Sequence, residues 1–95
     1  MVSVDEDNRI AFMTCIEVAL MKQGNTSYNL VLAKLNARYG CGIHECVDHQ
    51  EYLKTVMKEV YEGNYNDVLD AISLETDKLE NMDEFKANFF KFMMS

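Results

Sequence analysis

The stretch Ile10–Met21, IAFMTCIEVALM, decides the fold, because only Thr14 and Glu17 in it are polar. A helix on a protein surface normally shows one apolar stripe, with polar residues on the opposite face. This stretch is apolar on nearly every side, so as a helix it needs cover all round. Either it lies at the centre of a helical domain or part of it meets another chain.

The residues on either side of this stretch set the limits of the first helix. Acidic residues at Asp5–Asp7 are favourable near a helix N-terminus, where the backbone dipole is positive. Gly24 is a natural stop, since glycine readily takes the left-handed conformation that ends many helices. We therefore expect a helix from about Asp5–Asp7 to Lys22 or Gln23. The polar residues 1–8 are expected to be disordered or frayed.

Apolar residues at three- and four-residue spacing predict four further helices along the chain. Asp48, with Glu51 three residues later, resembles a capping box and predicts the start of the third of the five helices. The second is expected from Asn25–Ser27 to Gly40, the third from Asp48 to Gly63, the fourth from near Asn64, and the fifth, rich in aromatic residues, over 81–95.

Length and composition agree with a single all-α domain spanning residues 1–95. Ninety-five residues are enough for one domain with a modest core. Proline is absent and glycine occurs only four times, whereas an all-β fold would need more turn residues. The sequence predicts a compact bundle of four to five short helices in orthogonal or irregular packing.

The charge and the cysteine content restrict the partners and the compartment. Nine basic residues are scattered among 16 acidic ones, for a net charge of -7. Nucleic-acid binding depends on clustered Lys and Arg, so neither nucleic acid nor an anionic membrane is an expected partner. The third helix, with Glu51, Glu59 and Glu62, would also be a poor reading helix in a DNA groove. Three cysteines and no export signal indicate reduced thiols in a cytoplasm.

Two apolar surfaces exceed what a small core can use, and both are candidates for an interface. The first helix is apolar nearly all round, and the fifth carries Phe90 and Met94 outside its main stripe. Exposed aromatic and Met-rich patches often mark partner sites. We therefore expect a homodimer, with the interface residues Phe12, Met13, Phe85, Phe89, Phe90, Phe92 and Met93.

A run of potential metal ligands lies between the second and third helices. Cys41, His44, Cys46 and His49 carry the thiol and imidazole groups that zinc prefers. Structural zinc sites usually draw two ligand pairs from separated segments, and four ligands within nine residues leave little room for a tetrahedron. We therefore expect no cofactor, and a zinc-binding module is an alternative function. A second alternative function is a small-molecule sensor with a pocket beside the first helix.

No pattern in the sequence predicts catalysis. Cys41 and His44 could pair, but no third activating group is evident, and the acids around them would suppress the thiolate. The glycines near Cys41 lack the spacing of a phosphate-binding loop. The acids from Asn64 to Asp70 do not match an EF-hand. The chain is therefore not expected to be an enzyme.

A helical pattern punctuated by glycine and aromatic residues runs from about Ile16 to Leu79. It consists of Ala19-Leu20 with Gly24, Leu35 with Tyr39-Gly40, Glu45–Leu53, Lys58–Tyr65, and Val68, Leu69 and Ile72. In these residues the segment resembles the Nitrosopumilus output domains, a family of small domains in thaumarchaeal proteins that includes terminal modules of predicted signalling proteins. The resemblance implies a signalling or interaction module in an archaeal cytoplasm, and it transfers no functional residue.

Overall fold

The computed structural model describes residues 4–80 and 82–95 of the chain. Within these ranges it contains five α-helices, one short 3-10 helix and no strand, which confirms the all-α class. The α-helices are α1 (Val4–Gln23), α2 (Asn25–Tyr39), α3 (Gln50–Val60), α4 (Tyr65–Thr76) and α5 (Asp83–Met94), and the 3-10 helix is His44–Val47.

The first helix begins earlier than the sequence predicts. α1 is helical from Val4, one residue before the start predicted at Asp5–Asp7, whereas residues 1–8 were expected to be disordered or frayed. Asp7 lies in the first turn, where negative charge is stabilising because the backbone dipole is positive at a helix N-terminus. Residues 1–3 lie outside the described part of the chain, as does Asn81, where the fifth helix was expected to begin.

The two helix-ending glycines take conformations that other residues rarely adopt. Gly24 has a φ of 140° between α1 and α2, and Gly40 has a φ of 63° after α2. Gly40 is the left-handed C-cap of α2, and its N–H donates to the Asn36 carbonyl. Glycine permits both turns without a side-chain clash, so these two predicted helix ends are confirmed.

The segment between α2 and α3 departs from the prediction. Asp48 is not the N-cap of α3, since His49 holds that position and no side chain caps the helix. Asp48 is instead the C-cap residue of the 3-10 helix. In this segment the side chain that accepts a hydrogen bond from the backbone is the Glu45 carboxylate, to which the Gly42 N–H donates at 2.9 Å. The prediction missed this short helix because its four residues carry no periodic apolar pattern.

The core surrounds α1, as expected of an apolar helix at the centre of the domain. Phe12, Ile16 and Leu20 are fully buried. The backbone of α1 packs most closely against α4 and next against α2, while α3 packs against α2. The large apolar side chains of this stretch that are exposed lie at its two ends, where Ile10 and Met21 are about half exposed.

A buried carboxylate ties α1 to α4. The Glu75 side chain is 12% exposed and accepts from Lys22 at 2.5 Å and from Lys78 at 2.7 Å. These two ammonium groups lower the pKa of the Glu75 carboxyl, and Lys22 makes the larger contribution.

The described part of the chain measures 37 × 26 × 24 Å and contains no helix long and apolar enough to cross a membrane.

Candidate functional site

Four of the seven predicted interface residues are core residues, which corrects the sequence interpretation. Phe12, Met13, Phe89 and Met93 are at most 1% exposed. α1 and α5 cover each other, because the Phe12 ring meets Phe85 and Phe89 edge to face at centroid distances of 5.0 and 5.1 Å. The sequence suggested two separate unpaired surfaces, whereas the fold pairs them.

The other three predicted interface residues retain some exposure, on different flanks of α5. Phe85 and Phe90 are half-buried, and Phe92 is 38% exposed. Phe92 lies beside α3, where the Lys54 ammonium sits 4.8 Å from the centre of its ring. Phe90 lies on the opposite flank, where it lines a groove. This groove is a candidate binding site within the part of the chain that the structure describes.

The groove lies between α4 and α5 and has a volume of about 430 Å³. Its residues recur every three or four positions along each helix, so each helix presents one face to it. Leu69, Ala87, Phe90 and Met94 give it an apolar surface. The polar residues along it are Asn66, Asp70 and Ser73 from α4 and Asp83 and Lys86 from α5.

Hydrogen bonds at both ends hold the groove in shape. The Tyr65 hydroxyl, at the start of α4, donates to the Met93 carbonyl near the end of α5 at 2.6 Å. Lys86, early in α5, pairs with Asp77 just after α4 and also donates to the Ser73 carbonyl at 3.3 Å. The two helices are therefore antiparallel, with one tie near each end.

The groove stays open because α4 and α5 do not pack backbone to backbone. The linker between α4 and α5 is only six residues long. The backbones of these two helices nevertheless do not approach each other as closely as those of α1 and α4 or of α1 and α2. Burial raises the pKa of Tyr65 to about 12. Lys54 steadies the end of α5 by donating to the carbonyls of Phe92 and Ser95, both at 2.9 Å.

The charge around the groove is negative. Residues 65–95 contain seven Asp and Glu against three Lys. Two of those acids are neutralised locally, since Glu75 pairs with Lys22 and Lys78, and Asp77 pairs with Lys86. Asp70 and Asp83, which line the groove, form no ion pair with any described side chain. The charge beside the apolar surface that no ion pair neutralises is therefore negative.

The four candidate metal ligands do not form one cluster. Cys41 and Cys46 lie together, with their sulfurs 3.9 Å apart. His44 is directed to Glu17, with Nε2 2.6 Å from Oε1, and His49 stacks on the Tyr52 ring. Across the described residues, no three Cys, His, Asp or Glu side chains are arranged to hold a metal ion. The 3-10 helix separates the side chains that the sequence placed in one run.

His44 belongs to a polar cluster at the junction of α1, α2 and the 3-10 helix. The Glu17 carboxylate also accepts from the Tyr28 hydroxyl at 2.8 Å. Tyr28 has a raised pKa, chiefly through burial and then through this bond to Glu17. Glu17 is one of the two polar residues in the apolar stretch of α1, and its role is to join three elements.

Sequence reasoning found part of the groove and missed the rest. Phe90 was a predicted interface residue, and Met94 was noted as lying outside the main stripe of α5. Leu69 is 4% exposed and belongs to the core, and nothing in the sequence singles out Asp70 or Asp83. The spacing within each helix was visible, but no sequence signal shows that the backbones of α4 and α5 stand apart.

Comparison of the chain with protein-family models, with curated proteins and with solved structures finds no match in any of the three. The resemblance to Nitrosopumilus output domains therefore stays a prediction.

Proposed function

We propose that this chain is a protein-interaction module that acts by binding and not by catalysis. Its partner presents an amphipathic helix with basic residues along the edges of its apolar face. The observation that carries the proposal is the groove between α4 and α5, which combines an apolar surface with unpaired carboxylates. A helix laid in an apolar groove is a recurrent mode of peptide recognition.

The dimensions of the groove suit about three turns of helix. Asp83 and Met94 mark its ends on α5. Eleven residue steps of about 1.5 Å each give a length of roughly 16 Å. Apolar side chains of the partner would contact Phe90 and Met94. Met94 is 69% exposed. Its burial under a partner would therefore contribute to affinity through the hydrophobic effect.

The acidic residues favour a basic partner over a second copy of this chain. Asp70 and Asp83 can pair with Lys or Arg on the flanks of a bound helix, which fixes its register and speeds association. In a symmetric dimer through this groove, the same patch would face itself. That contact would oppose like charges in a chain of net charge -7. This repulsion makes the homodimer predicted from the sequence less favourable than a complex with a basic partner helix.

A small-molecule sensor is less well supported by the same groove. Ligand pockets of this volume occur, but they usually bury most of the ligand surface. Here Asn66, Asp70, Asp83, Ala87 and Met94 are all exposed, so the site is a shallow surface groove. A long ligand that covers the whole groove fits it better than a compact one.

The cellular setting of the module rests on the resemblance alone. Common descent with the output domains would make it the output part of a signalling system in an archaeal cytoplasm. Binding of a basic helix would then be the step that passes the signal on.

Fluorescence anisotropy with a synthetic peptide tests the proposal. The probe has about 18 residues, with Leu at every third or fourth position and Lys between, so that it folds as an amphipathic helix. A matched peptide carries Glu in place of Lys. We expect the Lys peptide to bind and the Glu peptide to bind at least tenfold more weakly.

Two pairs of variants locate the binding site. Ala87→Lys fills the groove with a cation, whereas Ala33→Lys makes the same change at an exposed alanine of α2. Asp70→Asn removes a charge in the groove, and Asp67→Asn removes one on the same helix outside it. We expect at least tenfold weaker binding for Ala87→Lys, up to about fivefold for Asp70→Asn, and little change for either control.

Three results would contradict the proposal in different ways. If Ala87→Lys and Ala33→Lys weakened binding of the Lys peptide equally, the peptide would be attracted to the acidic protein as a whole and not to the groove. Equal binding of the two peptides would remove the charge argument. A dimer in sedimentation that Ala87→Lys dissociates and Ala33→Lys does not would assign the groove to a second copy.

A further inference from the structure

The thiols of Cys41 and Cys46 lie side by side in the segment between α2 and α3. Their sulfurs are 3.9 Å apart, and the Cys46 thiol donates to the Gly42 carbonyl at 3.4 Å. Cys46 is fully buried, while Cys41 is half-buried and reaches solvent. The proposed binding function uses neither of them.

We propose that Cys41 and Cys46 are a thiol pair that small disulfides oxidise to an intramolecular disulfide. A disulfide requires an S–S distance of about 2.05 Å, so the sulfurs must close by roughly 1.9 Å. Cys41 lies outside any helix and has Gly40 and Gly42 as neighbours. Glycine gives the backbone freedom for such an adjustment, so the closure need not disturb α2 or α3.

The reaction proceeds in two exchanges. The more exposed Cys41 thiolate attacks one sulfur of the small disulfide, forming a mixed disulfide and releasing one small thiol. Cys46 then loses its proton and attacks the Cys41 sulfur, releasing the second small thiol. The two protein thiols are oxidised, the small disulfide is reduced, and the two thiol protons end on the released small thiols.

The environment of Cys46 suits the second exchange more than the first. Burial, then the adjacent Cys41 and the carboxylates of Glu45 and Glu51, raise the pKa of the Cys46 thiol to about 12. A thiol of that kind reacts slowly with reagents in solution. Held beside the mixed disulfide, it acts within the molecule, where proximity replaces a bimolecular encounter. The rate of this closure should rise with pH, because the attacking species is the Cys46 thiolate.

Cys15 provides an internal comparison in the same chain. It lies in α1, half-buried, and burial followed by the charge of Glu75 raises its pKa. The described part of the structure places no other thiol in hydrogen-bond contact with it. We therefore expect Cys15 to remain a thiol or to stop at a mixed disulfide.

Mass spectrometry of the intact protein after treatment with glutathione disulfide tests the proposal. The Cys41–Cys46 pair should first gain one glutathione and then lose it, which leaves this pair about 2 Da lighter than in the reduced protein whether or not Cys15 carries a glutathione of its own. Cleavage after glutamates cuts at Glu17, Glu45 and Glu51, which puts each cysteine on its own fragment. Fragments 18–45 and 46–51 should then be joined only by the new disulfide.

Single variants separate the two steps. Cys46→Ala should stop at a persistent glutathione adduct on Cys41, and Cys41→Ser should lose the fast first step. The native chain itself decides the result, even if a variant folds poorly. A lasting adduct on Cys41 without ring closure would overturn the proposal, as would a link from Cys41 to Cys15 or to a second copy.

Discussion

Replacing Phe89 by alanine removes the side chain that α5 inserts against α1. Phe89 is fully buried, and its ring meets those of Phe12 and Phe90 edge to face, at centroid distances of 5.1 and 5.2 Å. The fold makes this residue part of the core, whereas the sequence placed it at an interface. The two roles predict different effects on stability.

The expected loss is large for a domain of this size. Truncation of a buried Phe to Ala costs about 3–5 kcal/mol, through lost burial and the cavity left behind. At roughly 0.05–0.15 kcal/mol per residue, a domain of this length has a total stability of about 5–14 kcal/mol. Phe92→Ala is the matched control on the same helix, because Phe92 is 38% exposed. Its truncation should cost only about 1 kcal/mol, including the lost contact with the Lys54 ammonium.

Urea denaturation followed by circular dichroism measures both variants. We expect Phe89→Ala to lose at least twice as much unfolding free energy as Phe92→Ala, with midpoints that do not depend on protein concentration. Equal losses in the two variants would refute the core assignment. A wild-type midpoint that rises with protein concentration, and ceases to do so in Phe89→Ala, would place this residue at an interface instead.

Three further predictions concern single side chains. The Tyr61 hydroxyl is buried with no hydrogen-bond partner among the described residues. Tyr61→Phe should therefore be neutral or stabilise the fold by up to about 1 kcal/mol in chemical denaturation; a clear loss would reveal a bond to that hydroxyl. Gly40 has a φ of 63°, and Gly40→Ala should cost about 1 kcal/mol or more because a side chain is strained there. Gly63→Ala, with open space around it and no positive φ, should change little; equal effects would contradict the argument from strain. The pKa of Glu75 is lowered by Lys22 and Lys78. Its stabilising contribution is present above its unfolded pKa of about 4.3 and is lost as the pH falls through the lower folded value. Thermal melts should therefore show a steeper loss of stability below about pH 4.5 for the wild type than for Glu75→Gln, and parallel curves would remove this role.

The helices were predictable from the sequence because their signals are local. Apolar spacing placed α2 to α5, and Gly24 and Gly40 set two helix ends through their backbone freedom. Helix ends that depend on side-chain bonding were less predictable. α3 starts at Gln50, because the expected cap at Asp48 is used to end a 3-10 helix.

The pairing of α1 with α5 was not predictable, because the residues that form it are far apart in sequence. Phe12 and Phe89 each look like excess apolar surface within their own helix, and only the tertiary fold brings the two rings together. The same holds for the groove. Its existence depends on the separation between the backbones of α4 and α5, which hydrophobic periodicity does not encode.

The measurement that tests the binding proposal most directly is a titration of isotope-labelled protein with the Lys peptide, followed by amide chemical shifts in NMR. The proposal predicts shift changes concentrated at Asn66–Ser73 of α4 and Asp83–Met94 of α5, which saturate with the peptide and are lost in Ala87→Lys. Changes spread over the acidic surface, or centred on α2 and α3, would contradict it.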